Sequence, residues 1–396
     1  MTTRKTNPAD AKPFKLDTQL TQLGRNTEEQ FGFVNTPVYR GSTVVFKTLD
    51  DIENNRAEFR YGTSGTPIIR NLANAWTALN GGAGTVITPS GLVAINIALM
   101  AVTKAGAHLL MPDSVYGPTR RFCDNVLARF GVTTTYYDPT LGAGIEALLR
   151  PETACIYLES PGSQTFEVQD VPAIVAVAKK RGIKTVIDNT WATPIFFRAH
   201  EHGCDVSVEA GTKYLGGHSD LLLGLVSANE ETWPAVRHLY YDMPALPGAE
   251  DCFLALRGLR TMHLRLKEAE RKGLEAAFWL HDRAEVARVL HPALPECPGH
   301  EIWKRDFSGS SGLFSIVLAP QYTMADLARM LDGMRVFSMG YSWGGYESLI
   351  TRFDCAPNRT ATEWQPGGLT LRLQIGLEDM DDLKADLDEG FMRLRG

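Results

Sequence analysis

Val206-Ser207-Val208-Glu209-Ala210-Gly211-Thr212-Lys213-Tyr214-Leu215-Gly216-Gly217-His218-Ser219-Asp220 is the stretch around which this chain is organised. Apolar residues alternate with period two as far as Ala210, a bend rich in Gly and Thr follows, and a second apolar run, Leu221 to Val226, leaves it. The pattern predicts a strand, a turn carrying Lys213, and a second strand. A lysine between apolar strand ends is partly desolvated, which penalises the ammonium, lowers the pKa and supplies free amine able to attack a carbonyl. A surface lysine lying along a loop fits this stretch equally well. The flanking sequence has to decide.

Upstream, short apolar runs recur at Gly84 to Ile87, His108 to Met111, Thr134 to Tyr137, Ala154 to Leu158 and Lys184 to Ile187. Helical periodicity lies between them, at Ile68 to Leu79, in the run opened by Ser90-Gly91-Leu92 and ending near Val102, at Thr119 to Phe130, and at Val171 to Arg181. Asp170 reads as an N-cap of the last of these, with Pro172 in its first turn. With the strands at Asp205 to Val208 and Leu222 to Val226, this alternation predicts an α/β fold with a mostly parallel seven-stranded sheet covered by helices on both faces. Ligands of such sheets bind beyond the C-terminal strand ends. Tyr116, Asp188 and Lys213 fall there. At Ser90-Gly91-Leu92 the helix start offers amide N–H groups without intrahelical partners, and Gly91 permits close approach of a phosphate.

Each feature has a plain structural reading: Asp188 as a turn cap, Tyr116 as a core aromatic, Ser90-Gly91 as an ordinary helix start. Their conjunction is more specific. A carboxylate to keep a pyridine nitrogen protonated, an aromatic ring to stack, a helix end for phosphate and a lysine to make an imine are what pyridoxal 5'-phosphate requires. No GxGxxG follows the early strands, which argues against a nucleotide-dependent Rossmann enzyme.

Composition narrows the class further. The chain has 396 residues, 44% hydrophobic and 22% charged, enough for several domains and a large core. A net charge of -6 with no basic run argues against nucleic acid as a partner and leaves small metabolites. Six cysteines without CxxC spacing predict reduced thiols, with neither disulfide framework nor metal site. Met1 to Lys15 is polar, and no 18 apolar residues run together, so neither secretion nor membrane insertion is expected and a cytoplasmic enzyme is. Residues 1–63 read as an N-terminal arm that would lie on a partner subunit, with a disordered leader as the alternative for its first dozen or so residues. Residues 64–257 read as the cofactor-binding domain and 258–396 as a smaller α/β domain with strands Leu313 to Leu318 and Leu369 to Ile375 and helices Met324 to Met334 and Asp382 to Leu394. Arg372, embedded in the last of those strands, fits either a structural ion pair or a bidentate clamp for a carboxylate.

Six motifs carry a resemblance that runs from the Tyr61 loop to Arg372: Ser90-Gly91-Leu92, Asp113-Ser114-Val115-Tyr116-Gly117, Leu158-Glu159-Ser160-Pro161-Gly162-Ser163, Ile187-Asp188-Asn189-Thr190-Trp191, Thr212 to Asp220, and Gly340-Tyr341-Ser342-Trp343-Gly344-Gly345-Tyr346-Glu347-Ser348-Leu349. The chain resembles the Cys/Met-metabolism family of pyridoxal-phosphate enzymes, whose fold is aspartate-aminotransferase-like (fold type I). The resemblance implies a carbon–sulfur lyase of the β-eliminating branch, converting L-cystathionine to L-homocysteine, pyruvate and ammonia. That branch rests chiefly on Tyr341-Ser342-Trp343 and on Ser163, where γ-lyase and γ-synthase relatives usually have asparagine; those relatives and a broad cysteine or cystine lyase are the alternatives. The resemblance further makes Lys213 the Schiff-base lysine, Asp188 the partner of the pyridine nitrogen, Tyr116 the stacking residue, and Gly91, Leu92 and Thr212 phosphate binders. Arg372 and Ser342 would hold the substrate α-carboxylate, with Tyr341 and Trp343 beside them. Tyr61 would act in the neighbour's site, within a homotetramer built from active dimers. Two positions depart from the pattern: Thr63 stands where the family usually has a phosphate-binding arginine, and Gly211 where γ-type relatives often have serine. Arg60 and Arg70 flank the Thr63 loop as replacement cations.

Overall fold

The period-two runs form a seven-stranded sheet in the order β1-β7-β6-β5-β4-β2-β3. Its strands are β1 Gly84–Thr88, β2 His108–Pro112, β3 Thr133–Tyr137, β4 Thr153–Glu159, β5 Lys184–Asp188, β6 Val206–Ala210 and β7 Gly224–Ala228. The computed structural model describes residues 14–396; most of the polar stretch Met1 to Lys15 therefore lies outside the described residues, as does the expected leader up to residue 13. Strands β2 to β6 pair in parallel, as the strand–helix alternation predicts. β7 is antiparallel to both β6 and β1. The reason is the connection: residues 211–223 hold the lysine turn and no crossover helix, so the chain can only double back.

Helices on both faces bury this sheet, which is why β1, β2 and β7 have no exposed residue and read as apolar runs. On one face Leu72 and Trp76 of helix Pro67–Asn80 and Ile174 of helix Val171–Arg181 pack with Ile156 and Ile187. On the other, Ala98 of helix Gly91–Val102, Phe122 of helix Gly117–Asn125 and Val236 of helix Trp233–Asp242 pack with Val186 and Val208. Asp170 caps its helix as predicted, accepting the Ala173 N–H at 3.1 Å.

A second sheet has five strands in the order β10-β11-β12-β9-β8, with β8 Val286–Leu290, β9 Leu313–Leu318, β10 Ser338–Met339, β11 Leu349–Phe353 and β12 Thr370–Gln374. Only β9 and β12 were expected from the sequence. β10 has two residues and β8 is a half-exposed edge, so neither carries a sustained apolar pattern. Helices Met324–Asp332 and Met380–Arg395 cover this sheet through Leu327, Leu387 and Phe391. Helix Leu16–Gln22 is held by its buried Leu20 and by the carbonyls of Leu20 and Leu23, which accept from Arg260 Nη1 at 2.8 and 2.6 Å. Beyond it, Phe31, Phe33, Val45 and Leu49 are exposed.

Asp113, directly after β2, ties the small sheet to the large one. Its fully buried carboxylate accepts N–H groups from Thr360, Ala361 and Thr362 at 2.8 to 3.1 Å and pairs with Arg120 at 2.6 Å. Burial works against its ionised form, but the Thr360, Thr362 and Arg120 donors outweigh that and hold its pKa below the usual aspartate value. Stability from such a group is present above the unfolded pKa and lost only as pH falls through the lower folded one, so the contact persists in mild acid. Removing one partner of a buried pair costs about 3–5 kcal/mol. Asp113→Ala is therefore expected to lower the denaturant midpoint markedly near neutral pH, and an unchanged midpoint would show that the contact holds nothing together.

Candidate active site

The C-terminal ends of β4, β5 and β6, the turn after β2 and the start of helix Gly91–Val102 meet Tyr341, Trp343 and Arg372 of the small-sheet region around a cavity of about 250 Å³. Gly91, Leu92, Tyr116, Asp188, Thr212 and Lys213 also line it. Ser342 reaches it through Lys213. Tyr61 does not line the cavity of its own chain; it is half-exposed on the arm.

Local packing accounts for the positions. A Cβ on Gly91 would stand 2.7 Å from that of Ala210, so glycine lets the helix start press against the end of β6. Ser90 Oγ accepts the Val93 N–H at 3.3 Å, the plain capping role, while the first-turn amides of Gly91 and Leu92 have no intrahelical acceptor. In the lysine turn, the Thr212 hydroxyl donates to Leu223 O at 3.2 Å and accepts from Leu223 N at 3.0 Å. Arg265 braces the same turn by donating to the carbonyls of Tyr214 and Leu215 at 2.7 and 3.2 Å. At Gly211 a Cβ would lie 2.6 Å from Leu223 Cδ2, so a side chain there would have to displace that leucine.

Lys213 Nζ donates to Ser342 Oγ at 2.9 Å and lies 5.2 Å from the centre of the Trp343 ring. Burial, then the positive charge of Arg372, brings its pKa down to about 8, against the opposing pull of Asp188 and Glu347. The loop reading of this lysine is thereby set aside. Asp188 Oδ1 accepts from the Thr190 N–H at 3.0 Å. Burial raises the Asp188 pKa while the Thr190 donors and Lys213 favour the charged form. Tyr116 follows β2, and its phenol is pushed up by burial and by the nearby carboxylates of Asp188 and Glu159. Arg372 Nη2 donates to Tyr341 O at 2.7 Å and Ser342 O at 3.2 Å. No carboxylate among the described residues forms a salt bridge with it, which disfavours the structural-ion-pair reading and leaves a buried cation suited to a ligand carboxylate.

Two carboxyls at this site were not expected. Glu159 ends β4 beside Asp188 in register, accepts the Tyr116 N–H at 2.9 Å, and is pushed well above the usual glutamate range by burial and then by Asp188. Its place within a strand-end motif was the available signal. Glu209, held by Trp76 Nε1 at 3.1 Å and Ser207 Oγ at 2.6 Å, is pushed up to about 7 by burial. Near Thr63, Arg70 pairs with Glu29 at 2.8 Å and with Glu58, so it is not a free replacement cation. Arg60 donates to Ile52 O at 3.1 Å and pairs with no carboxylate among the described residues.

The donor set fits pyridoxal 5'-phosphate: an amine neutral at accessible pH, a buried carboxylate for the ring nitrogen, and free first-turn amides for the phosphate. Architecture and site together define a fold-type I pyridoxal-phosphate enzyme. The family model for Cys/Met metabolism PLP-dependent enzymes matches residues 17–392, and the chain belongs to that family. A Saccharomyces cerevisiae protein named as a putative cystathionine β-lyase is 63% identical over 84% of this chain and 97% of its own length. The cystathionine β-lyase of Escherichia coli K12 is 45% identical over 96% and 99%. Among solved structures, a cystathionine γ-synthase from Xanthomonas oryzae superposes with a TM-score of 0.89 at 30% identity, covering 97% of this chain and 99% of its own. Pyridoxal 5'-phosphate is the family's cofactor.

In the cofactor-free protein, acylation of Lys213 by an amine-directed reagent is expected to rise with pH about a midpoint near 8. Peptide mass spectrometry across a pH series reads this out. A midpoint at the ordinary lysine value would show that the side chain is solvated.

Proposed function

We propose that this chain is a pyridoxal-phosphate-dependent carbon–sulfur lyase that cleaves L-cystathionine by β-elimination, giving L-homocysteine, pyruvate and ammonia. The observation that carries the reading is the buried Arg372 guanidinium, in a salt bridge with no carboxylate among the described residues, beside the Ser342 that holds Lys213 Nζ at 2.9 Å. Bound cofactor supplies an electron sink for the charge that develops at the substrate α-carbon. Lys213 would hold that cofactor, Asp188 would face its ring nitrogen, and Gly91, Leu92 and Thr212 its phosphate. Arg372 binds the α-carboxylate and orients the substrate. With its amine released by the incoming substrate, Lys213 takes the α-proton at Nζ while Ser342, 2.9 Å away, orients it. The bond between Cβ and sulfur then breaks with its electron pair leaving on sulfur, which is protonated from Lys213. Tyr116 keeps its phenolic proton near neutrality because its pKa is raised, so it serves as a second proton donor and not as a base. The 2-aminoacrylate that remains reacts with water to give pyruvate and ammonia.

The assembly expected is a homotetramer of active dimers in which Tyr61 acts in the neighbour's site; the exposed Phe31, Phe33, Val45 and Leu49 of the arm support a partner there. Six unpaired cysteines favour a reducing compartment such as the cytoplasm, and no helix among the described residues is long and apolar enough to cross a membrane.

Incubating the purified holoenzyme with L-cystathionine and identifying the keto acid tests the reaction. Pyruvate with homocysteine is expected, and 2-oxobutyrate with cysteine would assign γ-elimination instead. Lys213→Ala is expected to abolish turnover. Arg372→Leu should raise KM by roughly 10- to 100-fold, the worth of a charge-assisted hydrogen bond, while bound cofactor measured by its visible absorbance is retained. Parallel loss of cofactor would mark Arg372 as structural.

A further inference from the structure

The lysine turn and the small-sheet region are clasped together at a point the reaction above does not use. Ser219, six residues past Lys213, has its backbone at φ +57°. A residue with a side chain enters this left-handed region at a cost in energy and stays only where the surroundings over-determine it. Here its Oγ donates to Glu347 Oε1 at 2.5 Å, across 128 positions of sequence. Glu347 belongs to the loop between β10 and β11 that also carries Tyr341, Ser342 and Trp343. The two segments are in close contact around that bond: a Cβ on Gly345 would stand 2.2 Å from Ser219 Oγ, and one on Gly344 would stand 3.1 Å from Tyr214 N. The Tyr214 ring meets that of Trp343 edge-on, with centres 5.7 Å apart.

The far end of the loop is fastened to the end of β12. Glu378 accepts the Ser348 N–H at 2.7 Å and its Oγ at 2.8 Å, and Tyr346 O accepts the Leu377 N–H at 2.7 Å. Between that anchor and Ser219 the loop seats Ser342 2.9 Å from Lys213 Nζ and Trp343 over the same side chain. Glu347 forms no salt bridge among the described residues, so its charge is not spent on a neighbouring cation. Burial and Arg372, from β12, disfavour the Lys213 ammonium; Asp188, from β5, and Glu347 favour it. Tyr116, Glu159, Glu209 and Tyr341 also line the cavity, while His218 and Asp220, either side of Ser219, are exposed. Of the acidic residues around the amine, Glu347 alone comes from the loop that covers it.

We propose that Glu347 is a positioning residue: clasped by Ser219, it keeps the loop bearing Ser342 and Trp343 closed on the lysine turn and adds a negative charge to the surroundings of the amine. This rests on Lys213 as the reactive amine and not on which carbon–sulfur bond is cleaved. Two readouts test it: amide hydrogen exchange of peptide 341–348 in the holoenzyme, and the pH midpoint of Lys213 acylation in the full-length cofactor-free protein. Glu347→Gln keeps an oxygen for Ser219 and loses the charge, so exchange is expected to stay as it is and the midpoint to fall by about 0.5 unit or more. Ser219→Ala keeps the charge and loses the clasp. Exchange is then expected to rise roughly 10-fold or more, and the midpoint to move up toward the ordinary lysine value as water reaches the amine. A merely structural role would shift both midpoints the same way. Ser219 is exposed, so its variant retains a test should the glutamine variant fail to fold. A midpoint that does not fall in Glu347→Gln, or a midpoint or exchange rate unchanged in Ser219→Ala, overturns the assignment. A midpoint at the ordinary lysine value in the unaltered protein overturns the reading of Lys213 beneath it.

Discussion

Desolvation of one amine is the constraint on which the rest of the site depends. Lys213 can be neutral near pH 8 only because the turn between β6 and β7 is buried from several sides. Arg265 caps its carbonyls from behind, and a Cβ on Gly258 would stand 2.1 Å from Leu215 O, so helix Ala249–Leu259 presses directly on the turn. On the front, a Cβ on Gly344 would lie 3.1 Å from the Lys213 carbonyl carbon, and Trp343 covers the side chain. Bulk at either glycine would have to move the lysine. The glycines thus act on the chemistry through packing, with no contact to a reacting atom.

Burial also sets the charge balance around that amine. Arg372 lowers the Lys213 pKa beyond what burial does, while burial lowers that of Arg372 itself. Asp188 pulls the lysine the other way, and the Glu159 carboxyl beside Asp188 is pushed well above the usual glutamate range by burial and then by Asp188. Two adjacent strand-end carboxyls disfavour each other's ionisation, and the Thr190 donors and Lys213 favour the charge on Asp188. Glu159 also accepts the Tyr116 N–H, so Tyr116 and Asp188 are positioned through one neighbour.

The two sheets meet at this site because residues far apart in sequence fasten them. Asp113 binds the Thr360–Thr362 segment, and Arg359 binds Thr165 and Glu167. Both contacts grip loops that line or lead into the cavity, one toward Tyr116 and the other toward Gln164. Cavity shape is in this way coupled to the seating of the small sheet.

Read alone, the sequence determined the elements and their chemistry. Strand and helix follow from local periodicity, and a parallel sheet places Tyr116, Asp188 and Lys213 at one edge, since strand C-termini share a side. The motifs carried the family, and Arg372 in an apolar strand was visibly out of place. Only the tertiary structure decided what those groups experience. The lysine's pKa depends on burial and on Arg372, 159 positions away, its amine donates to Ser342, and no local pattern encodes a dielectric made by distant residues. β7 reverses because its connection is short, while β8 and β10 take their conformation from neighbours and not from their own periodicity. Arg70 looked free beside Thr63 until Glu29 and Glu58 were found around it.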